Sequence, residues 1–357
     1  MIELYGWSAE LQDVFVAHAA GHHAPARVVA QHRGLWRLVT HAGEVSGRLS
    51  GRFQLKAGPG EHPAVGDWVA VALPVGDGDA VIHGVLPRRG VFIRKAAGEE
   101  HAQVVAANVD TAFLVAGMTA DLNLRRLERY LVAARDGGVA PVIVLTKADL
   151  SDAADESVAR VADIAGGAPV LAVSAVTGAG LEELRAFMPA GATVALLGSS
   201  GAGKSTLLNA LSGEELMSTG AVREDDLRGR HTTRHRELFR LPGGALVIDT
   251  PGMRELGLIA DEDALDATFS DIAALPPCRF SDCRHGAEPG CAVRVALESG
   301  ALSEARWRAY LKLQREVAYS EARDDPEAEA ARRDRWKRIH KDQRAREKHR
   351  RRNDEKW

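Results

Sequence analysis

Eight residues, Gly198-Ser199-Ser200-Gly201-Ala202-Gly203-Lys204-Ser205, follow the spacing G-x-x-x-x-G-K-[ST]. Such a run can cradle phosphates. Its glycines let backbone N–H groups converge on phosphate oxygens, and a helix opening at the lysine adds the positive end of its dipole. Lys204 is placed to reach β- and γ-phosphates and Ser205 to ligate Mg²⁺. Downstream lies Asp249-Thr250-Pro251-Gly252. Asp249 is suited to hold Mg²⁺ through water, and Gly252 can offer its N–H to a γ-phosphate. A D-x-x-G string is weak alone; the phosphate loop before it gives it weight.

A second pair of short strings points to the base. Thr146-Lys147-Ala148-Asp149 follows the apolar run Pro141-Val142-Ile143-Val144-Leu145. Guanine presents two neighbouring donors, N1–H and the N2 amine, and one carboxylate accepts both. Adenine lacks that pair, so Asp149 would select GTP over ATP, with the Lys147 stem lying against the base. Ser174-Ala175 ends another apolar run, and the Ala175 N–H can meet guanine O6. Each string alone is more often solvated surface than a site; together with the phosphate loop they resemble the P-loop GTPases. The order differs from the familiar one, because here the base-reading strings precede the phosphate loop. This is a circular permutation, which adjacent ends in a compact domain permit. The residue after Gly252 is Met253. A thioether cannot orient the attacking water as the Gln of Ras-like proteins does, so a slow intrinsic rate is expected. Gly229-Arg230-His231-Thr232-Thr233 lies where the first switch belongs. Thr232 or Thr233 can close on Mg²⁺ and the γ-phosphate. His231 is either a catalytic helper or a solvated loop histidine.

A third cluster suits a metal. Cys278-x4-Cys283-x-His285-x5-Cys291 supplies three thiolates and an imidazole, a set for tetrahedral structural Zn²⁺ with no open position. Buried free thiols beside a surface histidine are the alternative. The surrounding segment looks too poor in apolar residues to hold a core without the metal. The chain has three cysteines, all in this window, and an odd number cannot all pair within one chain. A reducing, cytoplasmic compartment is expected.

These residues need elements to position them. The chain has 357 residues, 45% hydrophobic and 27% charged, which is globular composition with room for two or three domains. From Arg27 to about Lys95, short alternating runs between glycines predict about five strands and a small β-barrel, with an OB-type barrel as one candidate. Such a barrel binds RNA in some proteins and is a structural or docking module in others. From Val109 to about Leu256, apolar strands alternate with helical patterns and imply a parallel sheet covered on both faces. Every motif above follows a strand end, where such sheets bind ligands. After Asp261 the pattern is helical. The net charge of −3 conceals an asymmetry: residues 331–357 carry 13 Lys+Arg against 5 Asp+Glu. That basic stretch, with Trp336 inside it, suits RNA phosphate better than a merely solvated face. No run of ~18 apolar residues is present, and the acidic, mixed N-terminus does not look like a secretory signal.

The permuted motif order, the small N-terminal barrel, the Cys-x4-Cys-x-His-x5-Cys window and the basic C-terminal stretch occur together in one family. The chain resembles the bacterial small-ribosomal-subunit biogenesis GTPases, the RsgA or YjeQ family, over essentially its whole length. The resemblance implies an N-terminal OB-type β-barrel (1–98), a central α/β P-loop GTPase domain with circularly permuted motif order (99–260), a mainly helical zinc-binding domain (261–330) and a basic tail (331–357). It implies GTP and GDP bound with Mg²⁺, one structural Zn²⁺, contacts to 16S rRNA, and hydrolysis stimulated by the small (30S) subunit during late maturation. No membrane or DNA partner is expected, and the protein should be a monomer. Carried over, Thr146 to Asp149 and Gly198 to Thr206 would bind GTP, Cys278, Cys283, His285 and Cys291 would bind zinc, and the segment holding His231 would be the first switch. One departure stands out. The base-reading string begins with Thr146 where Asn is general; Asn both bridges loops and reaches guanine N7. Two other readings remain open, a guanine-sensing RNA-binding module with little turnover and a permuted GTPase of large-subunit assembly.

Overall fold

The computed structural model describes residues 1–19, 21–32, 34–58, 60–76, 78–94, 103–119, 122–214, 236–249, 262–280, 283–286 and 288–324. The chain opens with a 3₁₀ turn, Ile2–Tyr5, and helix α1, Ala9–His18, whose N-cap Ser8 accepts a hydrogen bond from the Leu11 N–H at 3.3 Å. Then come strands β1 (Ala24–His32), β2 (Leu35–Val39) and β3 (Glu44–Leu49), helix α2 (Gly51–Lys56), and strands β4 (Trp68–Ala72) and β5 (Ala80–Val85). β1 pairs antiparallel with both β2 and β4, β3 runs parallel to β5, and β5 pairs with β4. The five strands therefore close into an OB-type barrel, with β4 covering its edge of β1 only from Ala24 to Arg27. Val28, Trp36, Leu38, Val69, Val71 and Ile82 fill it.

β1 is buried almost continuously rather than at alternate residues. Ala26 and Val28 point into the barrel, while Val29 packs in the core of the next domain. Both faces are covered, so both sets of alternate residues are buried.

A two-stranded sheet pairs β6 (Val91–Arg94) with β7 (Gln103–Ala107). The α/β region follows: β8 (Thr111–Gly117), α3 (Leu124–Asp136), β9 (Ala140–Thr146), α4 (Ala154–Ala162), β10 (Val170–Ala172), α5 (Leu181–Arg185), β11 (Thr193–Leu197), α6 (Lys204–Ser212), β12 (Glu237–Arg240) and β13 (Leu246–Asp249). Their order across the sheet is β10-β9-β8-β11-β13-β12, with β12 the antiparallel member. β8, β9 and β10 build outward on one side and β11, β13 and β12 on the other. The direction reverses between β8 and β11, and the crevice at that reversal is where ligands bind in such sheets. The circular permutation is therefore present in the topology as well as in motif order, because the strand feeding the phosphate loop is central in space yet late in sequence.

The barrel and this sheet are continuous. Ala30 of β1 pairs with Glu237 of β12, so eleven strands among the described residues form one sheet. Arg27 locks the seam from beneath. Its guanidinium donates to the Thr193 hydroxyl at 2.7 Å and to the Tyr5 carbonyl, and stacks 4.8 Å from the Trp68 ring. Burial lowers its pKa to about 10, which leaves it a cation at neutral pH.

The C-terminal helices are α7 (Glu262–Thr268), α8 (Ser270–Ala273), α9 (Ala292–Ser299) and α10 (Glu304–Asp324). They do share an apolar core, with Leu265, Phe269, Val293, Leu302, Leu313 and Val317 buried together. The sequence reading underestimates it because the core also takes Val132 from α3, 133 residues before Leu265. Ion pairs fasten the same contact. Arg306 donates to Glu128 of α3 at 2.7 Å, to both oxygens of Asp271 at 2.8 and 3.1 Å and to the Thr268 carbonyl at 2.9 Å, lying 4.1 Å over the Phe269 ring. Burial raises the Glu128 carboxyl above its usual range even against the pull of Arg306. Arg306→Ala leaves that carboxylate buried without its cation. The expected loss is about 3–5 kcal/mol of stability in the docked helices, read by urea unfolding; a midpoint within error of the parent would show that the pair contributes nothing net.

Candidate nucleotide site and metal centre

The phosphate loop leaves β11 and turns into α6. Gly198 begins it against β8, where an added Cβ would stand 2.4 Å from the Val115 carbonyl oxygen, so no larger residue fits. Gly203 caps α6 at φ +88°, a left-handed conformation that glycine adopts without strain. The N–H groups of Gly201, Gly203, Ser205 and Thr206 have no hydrogen-bond partner among the described residues, whereas Ala202 folds back to the Ser199 carbonyl at 3.3 Å. A helix start with unpaired N–H groups around a glycine loop is an anion cradle. The Lys204 ammonium spans the loop, donating to the carbonyls of Gly198 and Ser199 at 2.8 Å each.

The base-reading strings sit on the same carboxyl edge. β9 ends at Thr146, and Lys147 follows at φ 60°, a left-handed conformation uncommon for a side chain of its size. That turn starts the 3₁₀ segment Ala148–Leu150 and exposes Asp149. Ser174 follows β10; its hydroxyl donates to Asp149 Oδ1 at 2.6 Å and accepts from the Thr177 N–H at 3.1 Å. Asp149 is thus oriented while Oδ2 stays open. The Ala175 N–H has no partner among the described residues. Thr146 points inward, donating its hydroxyl to the Ala202 carbonyl at 2.6 Å. The structure therefore brings Thr146, Lys147, Ala148, Asp149, Ser174 and Ala175 to one edge with the loop from Gly198 to Thr206.

A cavity of about 670 Å³ adjoins the loop at the reversal between β8 and β11. Gly117, Thr119, Arg126, Tyr130, Lys147 and Ser200 are among its walls, and no carboxylate is found among the described residues that line it. No motif marks Arg126 or Tyr130; only the packing of α3 beside β8 brings them there. Asp249 ends β13 in register with Leu196, the strand position two residues before the phosphate loop. Its side chain, like His231, Thr232, Thr233, Gly252, Met253 and the basic stretch 331–357, lies outside the described residues.

The metal window closes on itself. His285 Nδ1 lies 3.6 Å from Cys278 Sγ and 3.5 Å from Cys291 Sγ, and those two sulfurs are 4.0 Å apart. With Cys283, all four ligand atoms fall within 4.8 Å of one another. Tetrahedral Zn²⁺ with ~2.3 Å Zn–S and ~2.0 Å Zn–N bonds needs ligand separations of roughly 3.5–3.8 Å. The donor types suit zinc, and the two sulfur–imidazole pairs at 3.6 and 3.5 Å stand at the separations it requires. N–H groups support the sulfurs: Ala292 donates to Cys278 and His285 to Cys283, each at 3.4 Å. The Ala292 N–H lowers the pKa of the Cys278 thiol, favouring the thiolate a metal binds. His285 itself takes φ 60°, and the Trp307 ring meets its imidazole edge-on at 5.4 Å. Lys147 and His285 are two of the three non-glycine residues with positive φ among those described, so backbone strain is concentrated at the two candidate sites.

Comparison with known proteins agrees with this geometry. The sequence model of the family described as RsgA GTPase matches residues 85–259. A small ribosomal subunit biogenesis GTPase RsgA of Opitutus terrae is 50% identical over 355 residues, covering 96% of this chain and 97% of that one. A second RsgA, of Lactiplantibacillus plantarum, is 47% identical over 82% of this chain and 83% of its own. The crystal structure of YjeQ from Thermotoga maritima superposes with a TM-score of 0.62 at 29% identity, covering 83% of this chain and 99% of that one. YloQ, a circularly permuted GTPase, superposes with a TM-score of 0.60 at 26% identity.

Proposed function

The chain belongs to the RsgA GTPase family, and on that premise we propose that it hydrolyses GTP as a maturation factor of the small ribosomal subunit. The observation that carries the chemistry is the shared carboxyl edge, where an oriented carboxylate after β9 and a phosphate cradle after β11 flank β8 in one sheet. Asp149 and the Ala175 N–H read guanine, and Lys147 lies along the base. The loop from Gly198 to Thr206 wraps the phosphates, with the Lys204 ammonium moving from loop carbonyls to phosphate oxygens. Ser205 and Asp249 hold Mg²⁺, which neutralises charge on the β- and γ-phosphate oxygens when bound. Gly252 meets the γ-phosphate, and Thr232 or Thr233 closes over it. Met253 cannot orient water, so His231 or a group from the subunit does so, and in the second case turnover depends on the partner.

Cys278, Cys283, His285 and Cys291 hold Zn²⁺, which ties the loop before α9 to the helical core. The division into barrel (1–98), nucleotide domain (99–260), helical zinc domain (261–330) and tail (331–357) belongs to the same proposal. So do the flanking domains' contacts with rRNA, which the net basic stretch 331–357 supports. No helix among the described residues is long and apolar enough to cross a membrane.

Phosphate release from GTP and from ATP, at fixed Mg²⁺ with and without purified subunits, tests the reading. A slow GTP-only rate that rises by an order of magnitude or more with small subunits is expected, with large subunits inert. Equal stimulation by both subunits would remove the small-subunit assignment, and equal use of ATP would remove the guanine assignment.

A further inference from the structure

We propose that Thr146 holds the phosphate loop rather than reading the base, so that this chain selects guanine without any contact to N7. The inference rests on the guanine-nucleotide reading above and makes it narrower.

The argument is one of hydrogen counting. A threonine hydroxyl carries one proton, whereas the amide of an asparagine carries two and can bridge loops and meet the base together. Guanine N7 is an acceptor and needs a donor. The Thr146 proton already serves the Ala202 carbonyl at 2.6 Å, and a second carbonyl, Ala116, lies 3.3 Å away. Ala202 is buried, and no other hydrogen bond to its carbonyl falls among the described residues. Turning the hydroxyl to a base would leave that carbonyl buried and unpaired, which is the costly alternative.

The surroundings fit a strut. Thr146 is only 3% exposed. A Cβ added at Gly203, where α6 begins, would stand 3.3 Å from Thr146 Oγ1 and 3.6 Å from Thr146 Cβ. The side chain therefore sits directly beneath the turn that presents the phosphate-facing N–H groups. Through it the ends of β8, β9 and the loop after β11 meet at one oxygen. Base selection is left to Asp149, oriented by Ser174, and to the Ala175 N–H. These groups meet the N1, N2 and O6 edge, and none faces the five-membered ring. The accepted substrates are accordingly purine triphosphates with a guanine Watson–Crick edge, whatever atom occupies position 7.

Calorimetric binding of GTP, 7-deaza-GTP and ATP to the full-length protein with Mg²⁺ tests this, with Thr146→Val alongside. Valine keeps the shape and removes the donor. GTP and 7-deaza-GTP are expected to bind the parent within about twofold of each other, since no hydrogen bond distinguishes them. Thr146→Val should weaken both by the same factor, about tenfold for one hydrogen bond to a buried carbonyl, with the melting temperature monitored as a fold control. Tenfold weaker binding of 7-deaza-GTP to the parent would overturn the proposal, as would a Thr146→Val loss confined to GTP. ATP binding as tightly as GTP would instead overturn the guanine reading on which it rests.

Discussion

Asp149→Ala is expected to collapse the preference for GTP over ATP by between about 10²- and 10⁴-fold. A carboxylate accepting two adjacent donors contributes about 1.5–3 kcal/mol per bond, and sites built on such pairing reject analogues that lack the donors. The loss should appear as weaker GTP binding with ATP binding unchanged, because adenine never made these bonds. The fold should not suffer. Asp149 is exposed, and the Ser174 hydroxyl that points at it keeps the Thr177 N–H as a partner. Competitive displacement of a fluorescent guanine nucleotide by GTP and ATP reads the ratio directly. A mutant that keeps the parental ratio would remove Asp149 from the base site.

Zinc removal should act on a different part of the molecule and more drastically. Structural Cys₃His sites bind zinc with about 10–16 kcal/mol of apparent free energy, part of which is folding free energy. Here the four ligands bracket residues 278–291 and hand the chain into α9, while Cys291 is itself part of the helical core. Chelation, or Cys283→Ala, should therefore release 283–299 into fast hydrogen exchange and loosen α10 around Trp307. The barrel strands between 24 and 85 should stay protected. Native mass spectrometry should find one zinc per chain beforehand. A chain purified without zinc, whose exchange ignores the chelator, would show the four ligands to be a free-thiol cluster.

The two sites were legible in the sequence to different degrees, for physical reasons. The phosphate loop and the metal window are local: their groups lie within a few turns of chain, so spacing alone constrains their geometry. The strands β8, β9, β11 and β13 are buried through their centres and advertise themselves as apolar runs. Short amphiphilic pieces are not so marked. The helix Gly51–Lys56 has no fully buried residue, and β12, Glu237–Arg240, has one. Long-range polar contacts leave no local trace either. Nothing near Glu128 announces Arg306, and nothing near Arg27 announces Thr193. Thr146 is the instructive case. As a departure from Asn it suggests a weakened base contact; the structure shows the hydroxyl engaged with the phosphate loop instead. Sequence exposes the residue type but not which neighbour takes its single proton.

The seam between Ala30 and Glu237 also has a consequence for how the protein is made. At about 5–20 residues per second, a ribosome needs roughly 10–40 s to travel from one partner to the other. The barrel does not have to wait, since β1 to β5 close on residues 24–85 alone. The nascent chain thus emerges with a finished first unit whose outer β1 face, carrying Val29, is still bare. Arg37 has no acidic partner across the seam until Glu237 arrives. The last event of synthesis for this half of the molecule is therefore the docking of a completed barrel onto a late-born strand, and the exposed edge of β1 is the surface that must be kept from other nascent chains in the interval.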